Sequence, residues 1–142
     1  MKKILLFAAM PFALLFSCAP PPGQTLSKQT SSPVGIWRGT YTVDQLDILP
    51  PPYAFFIKSD GTLITQGNGA DGNTYYSQGK WKLDRDTLRC VYYTINAPHP
   101  MTTQAAKFYF DKKKGNLKSG KWWDVKNGSD YTGEFLGMTK DQ

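Results

Sequence analysis

The sequence predicts an all-β domain, an eight-stranded antiparallel up-and-down β-barrel. After residue 33, short runs with two-residue alternation follow one another, turn-forming clusters separate them, and helical periodicity is absent. Because most connections are short, neighbouring strands are expected to pair antiparallel. Closing the sheet into a barrel would leave no exposed edge, and a β-sandwich is the structural alternative.

Each predicted strand is bounded by a turn or loop signal. Asp60-Gly61 marks a hairpin, Asp84-Arg85-Asp86 marks a second turn, and the proline-rich segment 44–52 is a longer loop. The predicted strands cover residues 34–43, 53–58, 62–67, 74–83, 87–95, 102–110, 117–124 and 130–139.

Period-two patterning divides these runs into two faces. Leu88, Cys90 and Tyr92 share one face of the fifth strand, so Cys90 is expected to be a small core residue. The motif Gly-x-aromatic recurs at four places in the chain. Glycine is tolerated within a strand where the strand bends or where a ring approaches, and barrel corners create both conditions. The motif occurs at residues 35–37, 79–81, 120–122 and 133–135.

The first 17 residues have the pattern of a secretory signal. Lys2 and Lys3 precede an uncharged apolar stretch, residues 4–16, that is shorter than the roughly 20 residues of a membrane span. Leu15-Phe16-Ser17-Cys18 resembles the bacterial lipobox. That resemblance implies cleavage before Cys18 and lipidation of its thiol. A plain signal with an incidental cysteine is the alternative.

The sequence therefore predicts three segments: a signal peptide at 1–17, the lipidated Cys18 with a flexible tether at 18–33, and the barrel at 34–140. The tether is rich in Pro, Ser, Thr and Gln and cannot bury enough apolar surface to fold. Two or three acyl chains on one cysteine would hold the protein firmly on a membrane. The sorting rule of some Gram-negative bacteria, applied to Ala19, implies the outer membrane.

Gly35-x-Trp37, at the head of the first strand, resembles the Gly-x-Trp signature of lipocalins. The segments SDGTL at 59–63, QGKWKLDRDTL at 78–88 and LKSGKWW at 117–123 are similar to small lipocalin-like lipoproteins of bacteria. The resemblance covers residues 33–140 and implies a barrel plugged at one end by Trp37. In lipocalins this tryptophan packs against an arginine from near the last strand, where this chain has only Lys140. The resemblance also implies a small apolar or amphipathic ligand.

Candidates for chemistry are few. His99 is the only histidine and lies in a loop without a nucleophile nearby, and Cys90 has no basic neighbour on its own face. The oxygen-rich loop with Asn68, Asp71 and Asn73 is similar to a calcium loop but lacks a closing glutamate. We expect no catalytic residue, no metal site and no cofactor. Net charge falls from +6 to +4 with the signal, and no motif points to nucleic acid.

The aromatic residues leave two functions open. In the first, the barrel is a ligand cup whose expected lining is Tyr53, Phe55, Tyr75, Tyr92 and Phe108. In the second, a filled barrel binds another envelope protein, for instance as a hydrolase inhibitor, and exposed rings at Trp122 or Trp123 would favour it. An enzyme is the least favoured class.

Overall fold

A closed barrel of eight antiparallel strands forms the domain. The computed structural model describes residues 31–69, 71–97, 103–125 and 131–142. Each strand pairs with the next one along the chain, and β8 returns to pair with β1. This ring confirms the predicted barrel and excludes the sandwich. The strands are β1 (Gly35–Tyr41), β2 (Pro52–Ile57), β3 (Thr62–Asn68), β4 (Thr74–Asp84), β5 (Thr87–Thr94), β6 (Thr103–Asp111), β7 (Asn116–Asp124) and β8 (Thr132–Lys140).

The observed strands begin and end within two residues of the predicted bounds, and β1 shows why they differ. The sequence predicts its end at Val43, whereas the strand ends at Tyr41. Beyond Tyr41 the backbone separates from β2 but still pairs with β8. The Thr42 amide donates to the Glu134 carbonyl, and the Asp44 amide donates to the Thr132 carbonyl, both at 2.8 Å. Residues 42–44 therefore keep the alternating pattern of a strand and their hydrogen bonds to β8, although pairing with β2 has ended.

Alternate residues of each strand fill the interior. Leu88, Cys90 and Tyr92 are buried together, as their spacing predicts. Burial raises the pKa of the Cys90 thiol to about 12, so Cys90 is an uncharged core residue. The remaining buried core consists of Trp37, Phe55, Ile57, Leu63, Ala106, Phe108, Phe110, Leu117, Trp122, Phe135 and Met138.

Glycines of the Gly-x-aromatic motif lie where another group comes close. A Cβ on Gly120 would stand 2.6 Å from an atom of the Phe108 ring, and one on Gly133 would stand 2.5 Å from the Trp122 indole nitrogen. These contacts confirm a packing role for the motif: a ring fills the space beside Gly120, whereas neighbouring backbone comes closest to Gly79 and Gly133.

The two ends of the barrel differ. One end is closed by Trp37, which is fully buried and donates its indole N–H to the Pro33 carbonyl at 2.7 Å. The Lys140 ammonium lies 5.7 Å from the centroid of the Trp37 ring, in a cation–π contact at the closed end. The opposite end carries the β1–β2, β3–β4, β5–β6 and β7–β8 connections and is called the open end below.

Candidate functional site

A cavity of about 330 Å³ enters the barrel at its open end. We call this cavity the cup. Its wall is mainly aromatic and contains four tyrosines, with polar groups from Asn68, Ser77, Thr94 and Gln104 between them. The aromatic wall consists of Tyr41, Tyr53, Tyr75, Tyr92, Trp122 and Phe135.

Two glycines at the end of β3 allow rings to lie flat against the wall of the cup. A Cβ on Gly67 would stand 2.6 Å from the Tyr53 ring, and a Cβ on Gly69 would stand 2.6 Å from the Tyr75 ring. Any larger residue would push these rings into the cavity. The cup is thus kept open because two side chains are absent, one near the end of β3 at Gly67 and one directly after it at Gly69.

A chain of hydroxyl groups lies deep in the cup. The Tyr53 hydroxyl donates to Thr65 Oγ1 at 2.9 Å. The Tyr92 hydroxyl interacts with that of Tyr53, and each affects the pKa of the other. Burial raises the pKa of Tyr53 to about 12 and raises the pKa of Tyr92 well above its ordinary value. Both phenols are therefore neutral at physiological pH and can donate a hydrogen bond.

Tyrosine hydroxyls also form hydrogen bonds between neighbouring segments at the rim of the cup. The Tyr41 hydroxyl donates to the Asn68 carbonyl at 2.8 Å, and the Tyr75 hydroxyl donates to Asp71 Oδ2 at 2.6 Å. The Tyr41 ring packs edge-on against Trp122, with centroids 6.1 Å apart. These contacts hold the aromatic walls apart and give the mouth a defined shape.

The cup has a negative electrostatic bias. No lysine or arginine is among the lining residues that the structure describes. The hydrogen bond from Tyr75 holds the pKa of Asp71 below its ordinary value, so this rim carboxylate stays ionised. Burial is the main cause of the raised pKa of Tyr92; Tyr53 and Cys90 contribute less, and the charge of Asp124 contributes least. A neutral or cationic ligand suits this field better than an anion.

Three of the five predicted lining residues, Tyr53, Tyr75 and Tyr92, line the cup. Phe55 and Phe108 lie beneath its floor, because Phe55 is two residues further from the open end than Tyr53 on β2, and Phe108 is four residues further than Gln104 on β6. Both are buried and pack edge-on, with ring centroids 5.3 Å apart.

Phe135 connects this floor to the cup. It stacks on Phe108 at 5.2 Å and also lines the cavity. Sequence reasoning missed the contributions of Tyr41, Trp122 and Phe135 to the wall. The available signal was the spacing of Tyr41, which lies four residues after Trp37 and therefore on the same face of an alternating strand.

The oxygen-rich loop is organised by local hydrogen bonds. Asp71 Oδ1 accepts from the Asn73 amide at 3.0 Å, and Asp71 Oδ2 accepts from the Asn73 side chain at 2.8 Å. Asn68 Oδ1 accepts from the Thr74 hydroxyl at 3.2 Å. These bonds account for the Asn and Asp residues as turn formers. In the part of the chain that the structure describes, no three His, Cys, Asp or Glu side chains cluster in a way that could hold a metal ion.

Several predictions fall outside the described residues. The signal peptide, Cys18 and the tether up to residue 30 lie there, as does His99. Within the described ranges, no helix has the length and apolar character needed to cross a membrane.

Comparisons with protein-family models, with curated proteins and with solved structures gave no significant match. The observed architecture is compatible with a lipocalin-like fold. That likeness rests on the eight-strand ring, the Trp37 plug at one end and the cup at the other.

Proposed function

We propose that this protein is a lipid-anchored lipoprotein of the bacterial cell envelope whose lipocalin-like barrel binds a small apolar or amphipathic ligand. The observation that carries the ligand proposal is the cup, an aromatic cavity at the open end with hydroxyl and amide groups in its wall. Binding sites for small molecules combine an apolar lining with a few convergent polar groups in this way. The proposal assigns binding to the cup and no catalysis.

The geometry of the cup narrows the class of ligand. A volume of about 330 Å³ lies at the lower end of the range for ligand pockets. Phe55 and Phe108 fill the barrel below it, so a long acyl chain could not pass into the interior. The absence of cations from the described lining disfavours a carboxylate head group. We therefore propose a compact, ring-containing ligand that is neutral or cationic.

The proposed anchor would leave the cup accessible. The described chain begins at the closed end, where the Lys140 ammonium donates to the Ser32 carbonyl at 3.2 Å and Trp37 donates to Pro33. The tether from Cys18 therefore joins the barrel at the end opposite the cup. An outer-membrane anchor is proposed from Cys18 and Ala19 by resemblance, and ligand exchange would not require the barrel to leave the membrane.

A second candidate function, binding to another envelope protein, is favoured by the β1–β2 connection. Its apolar side chains point into solvent beside the cup: Leu49 is 91% exposed, and Leu46 and Ile48 are also exposed. Contiguous exposed apolar residues often mark interaction sites. The tryptophan pair gives less support, because Trp122 is buried and Trp123 is half-buried on the outer wall.

A fluorescent probe tests the ligand proposal. N-phenyl-1-naphthylamine is neutral and aromatic, and its emission rises in an apolar site. Gln104→Phe places a ring inside the mouth of the cup, whereas Thr103→Phe places the same ring on the outer face of the same strand. We expect wild type and Thr103→Phe to bind the probe and Gln104→Phe to lose binding.

Equal binding by all three proteins would contradict the cup as the site. Leu49→Ser gives the matching test of the second candidate. It should abolish capture of an envelope partner and leave probe binding unchanged if the loop is a separate protein-binding site.

A further inference from the structure

Four cations form a row across the outer wall of the barrel. Strand register places Lys82 opposite Arg89, Arg89 opposite Lys107, and Lys107 opposite Lys121. The four residues lie on the adjacent strands β4, β5, β6 and β7, and all four are exposed. We call them the basic row. Since neighbouring strands are about 4.8 Å apart, the row spans about 14 Å along the wall.

The basic row has little internal compensation. Only Lys121, at one end, has an acidic partner, Glu134 at 3.5 Å on β8. No carboxylate among the described residues lies within ion-pair distance of Lys82, Arg89 or Lys107. Like charges directly opposite on neighbouring strands destabilise a sheet. The repulsion within the basic row lowers the stability of the sheet when the row is unoccupied. An anion bound across the row would neutralise the cations and remove this repulsion.

Neighbouring rows extend this surface. Lys80 precedes Lys82 by one outward position on β4, and Lys118 lies on β7 nearer the closed end. The exposed ring of Tyr109 pairs with Lys118, one row from the cations. The outer wall of β4–β7 therefore combines six cations with an exposed aromatic ring.

We propose that the basic row binds a flexible polyanionic chain that carries phosphate or carboxylate groups along its length. The curvature of the wall favours this partner over a flat anionic membrane. Four of the eight strands carry the row, so its side chains point outward over a large part of the circumference. A plane can touch only a part of such an arc, whereas a flexible chain can follow it and neutralise each cation in turn.

Long-chain inorganic polyphosphate is the probe for this proposal, and its binding to the full-length protein can be followed by fluorescence anisotropy. Lys82→Gln/Lys107→Gln removes two cations from the row. Lys113→Gln/Lys114→Gln makes the same two substitutions in the exposed β6–β7 turn and serves as the matched control. Thermal melting checks the fold, and relief of like-charge contacts is expected to leave the row variant at least as stable as wild type.

The row variant should bind polyphosphate about tenfold more weakly. The slope of log affinity against log salt between about 50 and 200 mM should fall by about 1.4, because each neutralised phosphate contributes about 0.7. The control should change affinity by no more than about twofold, since salt screens a distant charge.

Equal losses in the two variants would overturn the proposal, because they would show attraction to net charge alone. Absence of binding at low salt would also overturn it. Binding to phosphatidylglycerol vesicles tests the alternative partner, a flat anionic membrane. Binding to vesicles in preference to polyphosphate would replace the polyanion with a membrane surface.

Discussion

Removing either tyrosine hydroxyl in the cup should destabilise the protein, by amounts that depend on its place in the hydroxyl chain. The Tyr92 hydroxyl interacts with that of Tyr53, and Tyr53 donates a hydrogen bond to Thr65, which is 1% exposed. Tyr53→Phe removes the middle member, and with it both the hydrogen bond to Thr65 and the interaction with the Tyr92 hydroxyl. Tyr92→Phe removes only the first member and leaves the Tyr53–Thr65 hydrogen bond intact.

The expected costs follow from this order. A buried polar group that loses its partner costs about 1–3 kcal/mol, whereas a typical buried hydrogen bond contributes about 1 kcal/mol. Tyr53→Phe should therefore lower the free energy of unfolding by about 2–3 kcal/mol, and Tyr92→Phe by about 1 kcal/mol. The double variant should cost less than the sum, because Tyr92→Phe removes one of the groups that Tyr53→Phe would leave unpaired.

Urea unfolding followed by tryptophan fluorescence measures these free energies, provided that the dependence on urea is the same in all variants. Tyr109→Phe is the control, because Tyr109 is 48% exposed on the outer wall and its substitution should change stability by less than about 0.5 kcal/mol. A larger cost for Tyr92→Phe than for Tyr53→Phe, or additive costs, would refute the proposed order of the chain.

Three further predictions concern the core and the closed end. Gly120→Ala should lower the free energy of unfolding in urea by about 1–3 kcal/mol, because the new methyl group meets the Phe108 ring; an unchanged midpoint would contradict this. Cys90 has a pKa of about 12 when folded against an ordinary 9.0, so its contribution is complete below pH 9 and is lost as pH rises towards 12. Stability should fall by about 4 kcal/mol over that interval through this thiol, and Cys90→Ala should show a correspondingly shallower decline. Lys140→Gln should lower the free energy of unfolding by about 0.5–1 kcal/mol, because it removes the cation over the Trp37 ring. Thermal melting measures this loss, and a melting temperature equal to that of wild type would count against the contact.

Fold class was predictable because each strand carries its own local signal. Alternation in 87–95 identified Leu88, Cys90 and Tyr92 as interior, and Asp60-Gly61 identified a hairpin. Both signals depend on a few neighbouring residues. The end of β1 was less predictable, since it depends on which of two neighbouring strands continues to pair.

The candidate site was only partly predictable, because alternation gives the face of a strand and not the depth within the barrel. Tyr53 and Phe55 face inward alike, yet only Tyr53 reaches the cup. The basic row was missed for a related reason. Arg89 and Lys107 are far apart in the sequence, and only the register of β5 on β6 brings them opposite each other.

Native mass spectrometry of the protein, purified gently from cells that produce it, shows whether the cup holds a ligand. We expect a bound small molecule that is lost on denaturation and is absent from Gln104→Phe, which blocks the cup. A wild-type protein without any bound molecule, or the same molecule bound to Gln104→Phe, would contradict the cup as a ligand site.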